Sequence, residues 1–152
     1  GLRLGFVIAP RECIDLLVRL KQATDLHTAT LTQRAAHRVL ADGLLDRHLP
    51  GVRARYAAQA EVMQQALAAS MPAGVQWTRP AGGMFVWLTL PPHIDAMALL
   101  PQAIARRIAF VPGAPFFATD AQASTLRLSF VTVPPEKIRS AVAVLGALIA
   151  AA

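Results

Sequence analysis

The sequence holds one cysteine, Cys13, so it can neither close an internal disulfide nor build a cysteine-based metal site by itself. That usage fits a reducing, cytoplasmic setting. There is no His-x-x-x-His pair, no Walker loop and no Gly-x-Gly-x-x-Gly, which removes the commonest metal and nucleotide signatures. The uncharged stretches 62–78, 80–94 and 140–152 all fall short of the about 18 residues a membrane helix needs, and the first two are broken by Pro and Gly. Charge is scarce as well. Only 16% of the residues are charged against 55% hydrophobic, with a mean hydropathy of +0.44, which excludes a disordered polyelectrolyte. Lysine is nearly missing: of 15 basic residues only Lys21 and Lys137 are lysines, and nine acidic residues leave a net charge of +6. The arginines are scattered from Arg3 to Arg139 with at most two adjacent, without the runs or interleaved aromatics of a nucleic-acid-binding face.

What is present is 152 residues, one domain's worth of chain and enough to bury a core. The apolar surplus points to a surface made to meet a partner. Because the chain opens at Gly1 directly in an apolar run, residues 1–152 are expected to be the C-terminal portion of a longer polypeptide.

The pattern along the chain mixes helix and strand. Leu2 to Ala9 reads as a short buried strand stopped by Pro10, followed by a helix carrying Ile14, Leu17, Val18 and Lys21, an α/β arrangement. Residues 28–42 predict a second helix with Leu31, Ala35 and Val39 one turn apart, closed by Gly43. Leu49, Val52, Tyr56, Ala60, Met63 and Leu67 predict one long helix over about 51–70, with Pro50 in its first turn. The Pro72-Ala73-Gly74 run then ends it. Residues 75–78, 84–90 and 126–131 read as strands, the first two joined in a hairpin by the turn 79–83. Asp95 caps a helix containing Met97, Leu100, Ile104 and Ile108, Phe110 and Val111 form a short strand, and Pro135 opens a last helix with Ile138, Val142, Leu145 and Ile149 on one stripe.

Candidate chemistry is sparse. His27, His37, His48 and His93 lie on different elements, and no carboxylate occupies an apolar strand where burial would suit it to general-acid work. Two arginines stand out because each interrupts an apolar strand. In 126–130 the residues Leu126, Leu128 and Phe130 share one face, so Arg127 and Ser129 project from the other. Arg127 is there either an edge charge in solvent or a planar fork for a carboxylate. Arg3 sits between Gly1 and Gly5, whose lack of side chains lets backbone approach a bulky anion such as phosphate, and the alternative is a surface arginine at a strand start. The segment 110–117, stiffened by Pro112 and Pro115 and ending in Phe116 and Phe117, is either a hydrophobic wall beside a ligand or part of the core.

Five blocks taken together resemble one family, the fold type I, pyridoxal-phosphate-dependent aminotransferases of class I/II, in particular the 2-aminoadipate and kynurenine aminotransferase-like branch. They are Gly1-Leu2-Arg3-Leu4-Gly5; Lys21-Gln22-Ala23-Thr24-Asp25-Leu26-His27-Thr28; Arg79-Pro80-Ala81-Gly82-Gly83-Met84-Phe85-Val86-Trp87; Phe110-Val111-Pro112-Gly113-Ala114-Pro115-Phe116-Phe117; and Thr125-Leu126-Arg127-Leu128-Ser129-Phe130, in the family's order. The resemblance implies that Arg3 binds the phosphate of pyridoxal 5'-phosphate and that Arg127 receives the substrate α-carboxylate. It implies a catalytic Schiff-base lysine in a Ser-x-x-Lys motif upstream of Gly1, so neither Lys21 nor Lys137 takes that role and the segment alone is inactive. The implied fold runs from α/β to α+β: residues 1–42 as the end of the large cofactor-binding domain, 43–70 as a connecting helix, and 71–152 as a small α+β domain. The implied partners are an L-amino acid and a 2-oxo acid, with a second copy forming a homodimer and no membrane. The amino donor stays open among aromatic, branched-chain and 2-aminoadipate substrates.

Two rivals follow from the same residues. One keeps the fold and makes it the effector domain of a winged-helix transcriptional regulator, with nucleic acid bound only by a fused upstream domain. The other, a non-catalytic α+β interaction module, requires Arg3 and Arg127 to lie in separate, fully wetted places.

Overall fold

A computed structural model describes all of residues 1–152 and divides them into two compact units, Gly1–Pro50 and Gly51–Ala152. Five α-helices and a small antiparallel sheet make up the regular structure: α1 (Arg11–Thr24), α2 (Thr30–Ala41), α3 (Leu44–Ser70), β1 (Gln76–Trp77), β2 (Phe85–Thr89), α4 (Ala96–Ala105), β3 (Val111–Pro112), β4 (Thr125–Ser129) and α5 (Pro135–Ala150).

In the first unit no residue is buried. The run Leu2–Ala9, read from sequence as a strand, carries no regular structure, because a strand needs a ladder partner and the only sheet is formed by residues 76–129. The expected α/β start is thereby corrected to an irregular segment leading into α1. Phe6 and Ile8 are almost wholly exposed, as is Leu31 on α2, so the apolar surplus of the composition is concentrated on this unit's surface. Helix α2 ends as its sequence predicts, with Gly43 in the left-handed region at φ 66° and its N–H donating to the Leu40 carbonyl. Helix α3 starts earlier than expected, at Leu44, and so holds Pro50 in its interior.

The second unit owns the core. Its sheet has the order β1-β2-β4-β3 with every pair antiparallel, and the Arg79–Gly83 turn closes the expected hairpin with Gly83 at φ 85°. Val86 and Leu88 of β2 face Leu128 and Leu126 of β4 across the ladder, and all four are buried. Met63 and Leu67 of α3, Leu99 of α4 and the stripe Ile138, Val142, Leu145 and Ile149 of α5 complete the same cluster. Helix α4 departs from its reading: Ala96, Leu99 and Ala103 are buried, whereas Met97 and Ile104 are exposed. The small alanines allow close packing, so the inner stripe lies one residue away from the bulkier one. The helix stops at Ala105, with Arg106 as its cap and Arg107 at φ 61°, which leaves Ile108 outside it. The Asp95 cap is as expected, its carboxylate accepting from the Met97 N–H at 2.7 Å.

Two polar pins fix α3 against this core. Gln64 donates to the Thr78 carbonyl and accepts from the Trp77 indole N–H, both at 3.0 Å, so its amide is used at both ends. Gln59, buried in the helix, donates to the Val133 carbonyl at 2.9 Å.

Two helical glycines should respond oppositely to the same change. A Cβ at Gly146 of α5 would strike the Ser70 carbonyl oxygen at the end of α3, whereas a Cβ at Gly51 meets nothing within 4 Å. Gly146→Ala should destabilise the chain by about 2 kcal/mol or more, and Gly51→Ala should stabilise it by about 0.5–1 kcal/mol through the lower entropy of the unfolded chain. Urea unfolding of the 152-residue chain checks both, and midpoints that move the same way would contradict the packing described.

Candidate functional site

Alternation along β2 and β4 decides what the second face of the sheet presents. With Val86, Leu88, Leu126 and Leu128 turned to the core, Phe85, Trp87, Arg127 and Ser129 are turned to the other side, as the sequence reading placed Arg127 and Ser129. Trp87 is the cross-strand partner of Arg127, Phe85 that of Ser129, and Val111 of β3 flanks Arg127 on its other edge. Arg127 is half-buried. Its Cζ stands over the Phe85 ring at 3.9 Å and the Phe116 ring at 4.8 Å from the centroids.

Trp87 forms the floor of this cluster. Its N–H donates to Thr78 Oγ1 at 3.0 Å, its carbonyl accepts from the Thr78 N–H, and its ring meets Phe116 and Phe117 edge-on at centroid distances of 5.7 and 6.2 Å. The loop that delivers those phenylalanines is pinned to β4 by glycine. Gly113 donates its N–H to the Thr125 carbonyl at 2.7 Å, and a Cβ there would collide with Thr125 Oγ1 and stand 2.8 Å from Trp87 Cζ2. Of the two alternatives for 110–117, Phe110 belongs to the core, while Phe116 is 51% exposed and Phe117 half-buried against Trp87.

Arg127 has no ion pair and its guanidinium donates no hydrogen bond within the chain; the two ion pairs present, Lys21–Asp25 and Arg38–Asp42, are exposed i,i+4 pairs on α1 and α2. A guanidinium carries five N–H donors and no acceptor, so a half-buried one resting on aromatic faces has its donors open to an incoming anion. Arginine cannot act as a base under ordinary conditions, so this cluster can bind and orient an anion and cannot accept a proton from it. Phe85 and Trp87 were not singled out in the sequence; pairing two odd-numbered positions of β2 with Arg127 would have found them.

Arg3 lies in the other unit. Its side chain is exposed without a hydrogen-bond partner, and its backbone occupies the left-handed region at φ 54°, uncommon for a residue with a Cβ. Gly5 beside it has open space where a side chain would be. Lys21 is held by Asp25, its ammonium 2.9 and 3.0 Å from the two carboxylate oxygens, and Lys137 is exposed in the first turn of α5. No cluster of three or more His, Cys, Asp or Glu side chains could hold a metal ion. Two open clefts of about 790 and 520 Å³ lie elsewhere in the second unit, and neither includes Arg127.

Known proteins share this arrangement of sequence. The chain is 43% identical over 93% of its length to an aromatic-amino-acid aminotransferase of Thermococcus litoralis and 44% identical over 96% to a 2-aminoadipate transaminase of Thermus thermophilus, of which it covers 34% and 36%. It thus spans about a third of the length of the curated relatives it matches. The crystal structure of the α-aminoadipate aminotransferase LysN from Thermus thermophilus, complexed with N-(5'-phosphopyridoxyl)-L-leucine, superposes on 99% of the chain with a TM-score of 0.83 at 42% identity, covering 39% of that protein. A helix-turn-helix regulator of Bacillus subtilis, YdfD, matches 98% of the chain at a lower 28% identity. The family model described as aminotransferase class I and II matches residues 1–145, and the chain therefore belongs to that family.

Proposed function

We propose that residues 1–152 are the C-terminal part of a pyridoxal-phosphate-dependent aminotransferase that moves an amino group between an L-amino acid and a 2-oxo acid, with Arg127 as the receptor for their α-carboxylates. The observation that carries this reading is the Arg127 guanidinium itself: half-buried, over two aromatic rings, with no acceptor in the chain. Donor and acceptor of a transamination share the α-carboxylate and differ at Cα, so one fixed receptor serves both half-reactions. A fork of two parallel N–H bonds sets the direction of that carboxylate as well as its position. Phe116 and Phe117 then stand as an apolar wall beside it, suited to substrates with hydrophobic side chains.

Arg3 suits a cofactor phosphate. Its guanidinium is unpaired, Gly5 leaves room for a bulky anion, and the left-handed backbone at a non-glycine residue is a local cost of the kind that gathers at binding sites. Pyridoxal 5'-phosphate, when bound, supplies an electron sink for the electrons left at Cα. This chain supplies the anchors around it. Lys21 is exposed on α1 beside Asp25, outside the Ser-x-x-Lys context of a Schiff-base lysine.

In this reading residues 1–42 close the large cofactor-binding domain, 43–70 connect the domains, and 71–152 form the small domain of a cytoplasmic homodimer. The winged-helix regulator reading would use the same fold and the same anion sites. The enzyme reading is favoured because the relatives from Thermococcus litoralis and Thermus thermophilus, named as aminotransferases, are more similar to the chain than the relatives named as regulators.

Three measurements test the reading. In the complete aminotransferase, Arg127→Lys should lower kcat/KM for amino acids by about thirtyfold or more, since an ammonium cannot reproduce the fork and a desolvated pair of this kind is worth roughly 2–5 kcal/mol. The corresponding decarboxylated amines should lose far less; equal losses for acid and amine would make Arg127 a structural strand residue. Arg3→Ala should weaken cofactor affinity in equilibrium dialysis by about thirtyfold, the loss of one charge-assisted contact of about 2 kcal/mol, and unaltered affinity would remove Arg3 from the phosphate site. Finally, borohydride reduction of the 152-residue chain mixed with pyridoxal phosphate should leave no stoichiometric label on Lys21 or Lys137, and such a label would overturn the assignment of the catalytic lysine to neither of them.

A further inference from the structure

Phe85 and Phe116 both lie outside the hydrophobic core. Phe85 is 39% exposed at the start of β2 and Phe116 51% exposed at the end of a short turn, yet both bring a ring face to the same cation. Burial does not explain that convergence, since the core lies on the opposite face of the sheet.

Separate devices hold the two rings. Phe85 is fixed by strand register: Trp87 lies opposite Arg127, so Phe85 is its diagonal neighbour on the same face. Phe116 is fixed by the Gly113 bond to Thr125 and by its edge contact with Trp87, the ring planes meeting at 79°. A carboxylate could also have held the guanidinium, as Asp42 holds Arg38 at 3.2 Å. It would have consumed the donors that make arginine useful. An aromatic face attracts the cation through its quadrupole and offers no oxygen to the N–H groups, so it restrains the side chain and leaves its hydrogen-bonding capacity intact.

We propose that Phe85 and Phe116 are positioning residues for Arg127: together they restrict the guanidinium before any ligand arrives, so that a carboxylate meets a pre-set fork instead of a mobile side chain. The proposal rests on the reading of Arg127 as a carboxylate receptor. Its physical content is preorganisation, because rotamer freedom lost in the free chain is not lost again on binding. Neither ring touches the carboxylate in this scheme; on that group both act through Arg127.

The test uses the complete aminotransferase labelled with nitrogen-15 arginine, acetate as the probe, and the Arg127 side-chain signal, identified by its loss in Arg127→Lys. Ring currents should displace that signal from those of the other arginines, and acetate should move it saturably. In the double variant Phe85→Leu with Phe116→Leu the displacement should collapse and the acetate midpoint should rise about tenfold, because the freed side chain must then give up its rotamer freedom on binding. Phe85→Tyr, which keeps the ring, should behave as the unaltered chain. An undisplaced Arg127 signal, or saturable acetate binding whose midpoint the double variant leaves unchanged, would overturn the positioning role alone. A displaced signal that ignores acetate in every variant would overturn the receptor reading and the positioning role with it.

Discussion

Burial of one face of a narrow antiparallel sheet is the constraint on which the rest of this unit depends. Val86 and Leu88 on β2 and Leu126 and Leu128 on β4 must face α3, α4 and α5, because those helices supply the apolar area that covers them. The period of a strand is two, so the choice of inner face is also the choice of outer face. Slipping β4 by one residue would put Arg127 into the core as a buried unpaired charge and expose its leucines, and the same slip of β2 would turn Trp87 inward and expose Val86 and Leu88. The side to which Arg127 projects is therefore set by leucines and a valine that face the opposite way. Its direction is a by-product of core packing.

Glycine and threonine carry that order from the sheet to the loop. Gly113 can lie against Thr125 and Trp87 only because it lacks a Cβ, and its N–H bond to Thr125 extends the β3–β4 ladder by one step into the turn that carries Phe116 and Phe117. Thr125 is buried and gives its own hydroxyl hydrogen to the Gln122 carbonyl, so the residue against which the loop rests is itself fixed. Backbone hydrogen bonds thus place one aromatic ring, and strand register places the other.

The legible part of this architecture was the part governed by local period. The alternation of 126–130 gave the direction of Arg127, the stripe Ile138, Val142, Leu145 and Ile149 gave the inner face of α5, and Asp95 gave a helix start, because each depends on residues within one helix or one strand. What was not legible depends on a partner distant in sequence. Leu2–Ala9 has the composition of a strand and no strand beside it in this chain, and composition carries no information about pairing. The inner stripe of α4 runs through alanines, which hydrophobic period weighs less than Met97 and Ile104, although their small size is what lets the helix approach its neighbours. The grip of Phe85 and Phe116 on Arg127 joins three separate segments, and none of the three carries a local pattern that points to the other two. The resemblance to class I/II aminotransferases supplied what period could not, by bringing those segments together as blocks of one pattern.

In the proposed function this chain supplies a receptor. Transamination needs a group that takes and returns a proton at Cα, and groups that hold the reacting molecule still. The four histidines lie apart, the carboxylates form no cluster, and one of the two lysines is tied to Asp25. The two candidate site residues are both arginines, side chains that keep their proton throughout and bind through fixed geometry. A fold that positions arginine by aromatic stacking preserves all five donors for the ligand, whereas one that positions it by carboxylates gives some of them away. The aromatic residues around Arg127 are consistent with that economy: orientation is achieved with groups that compete for none of the hydrogen bonds a substrate carboxylate would use.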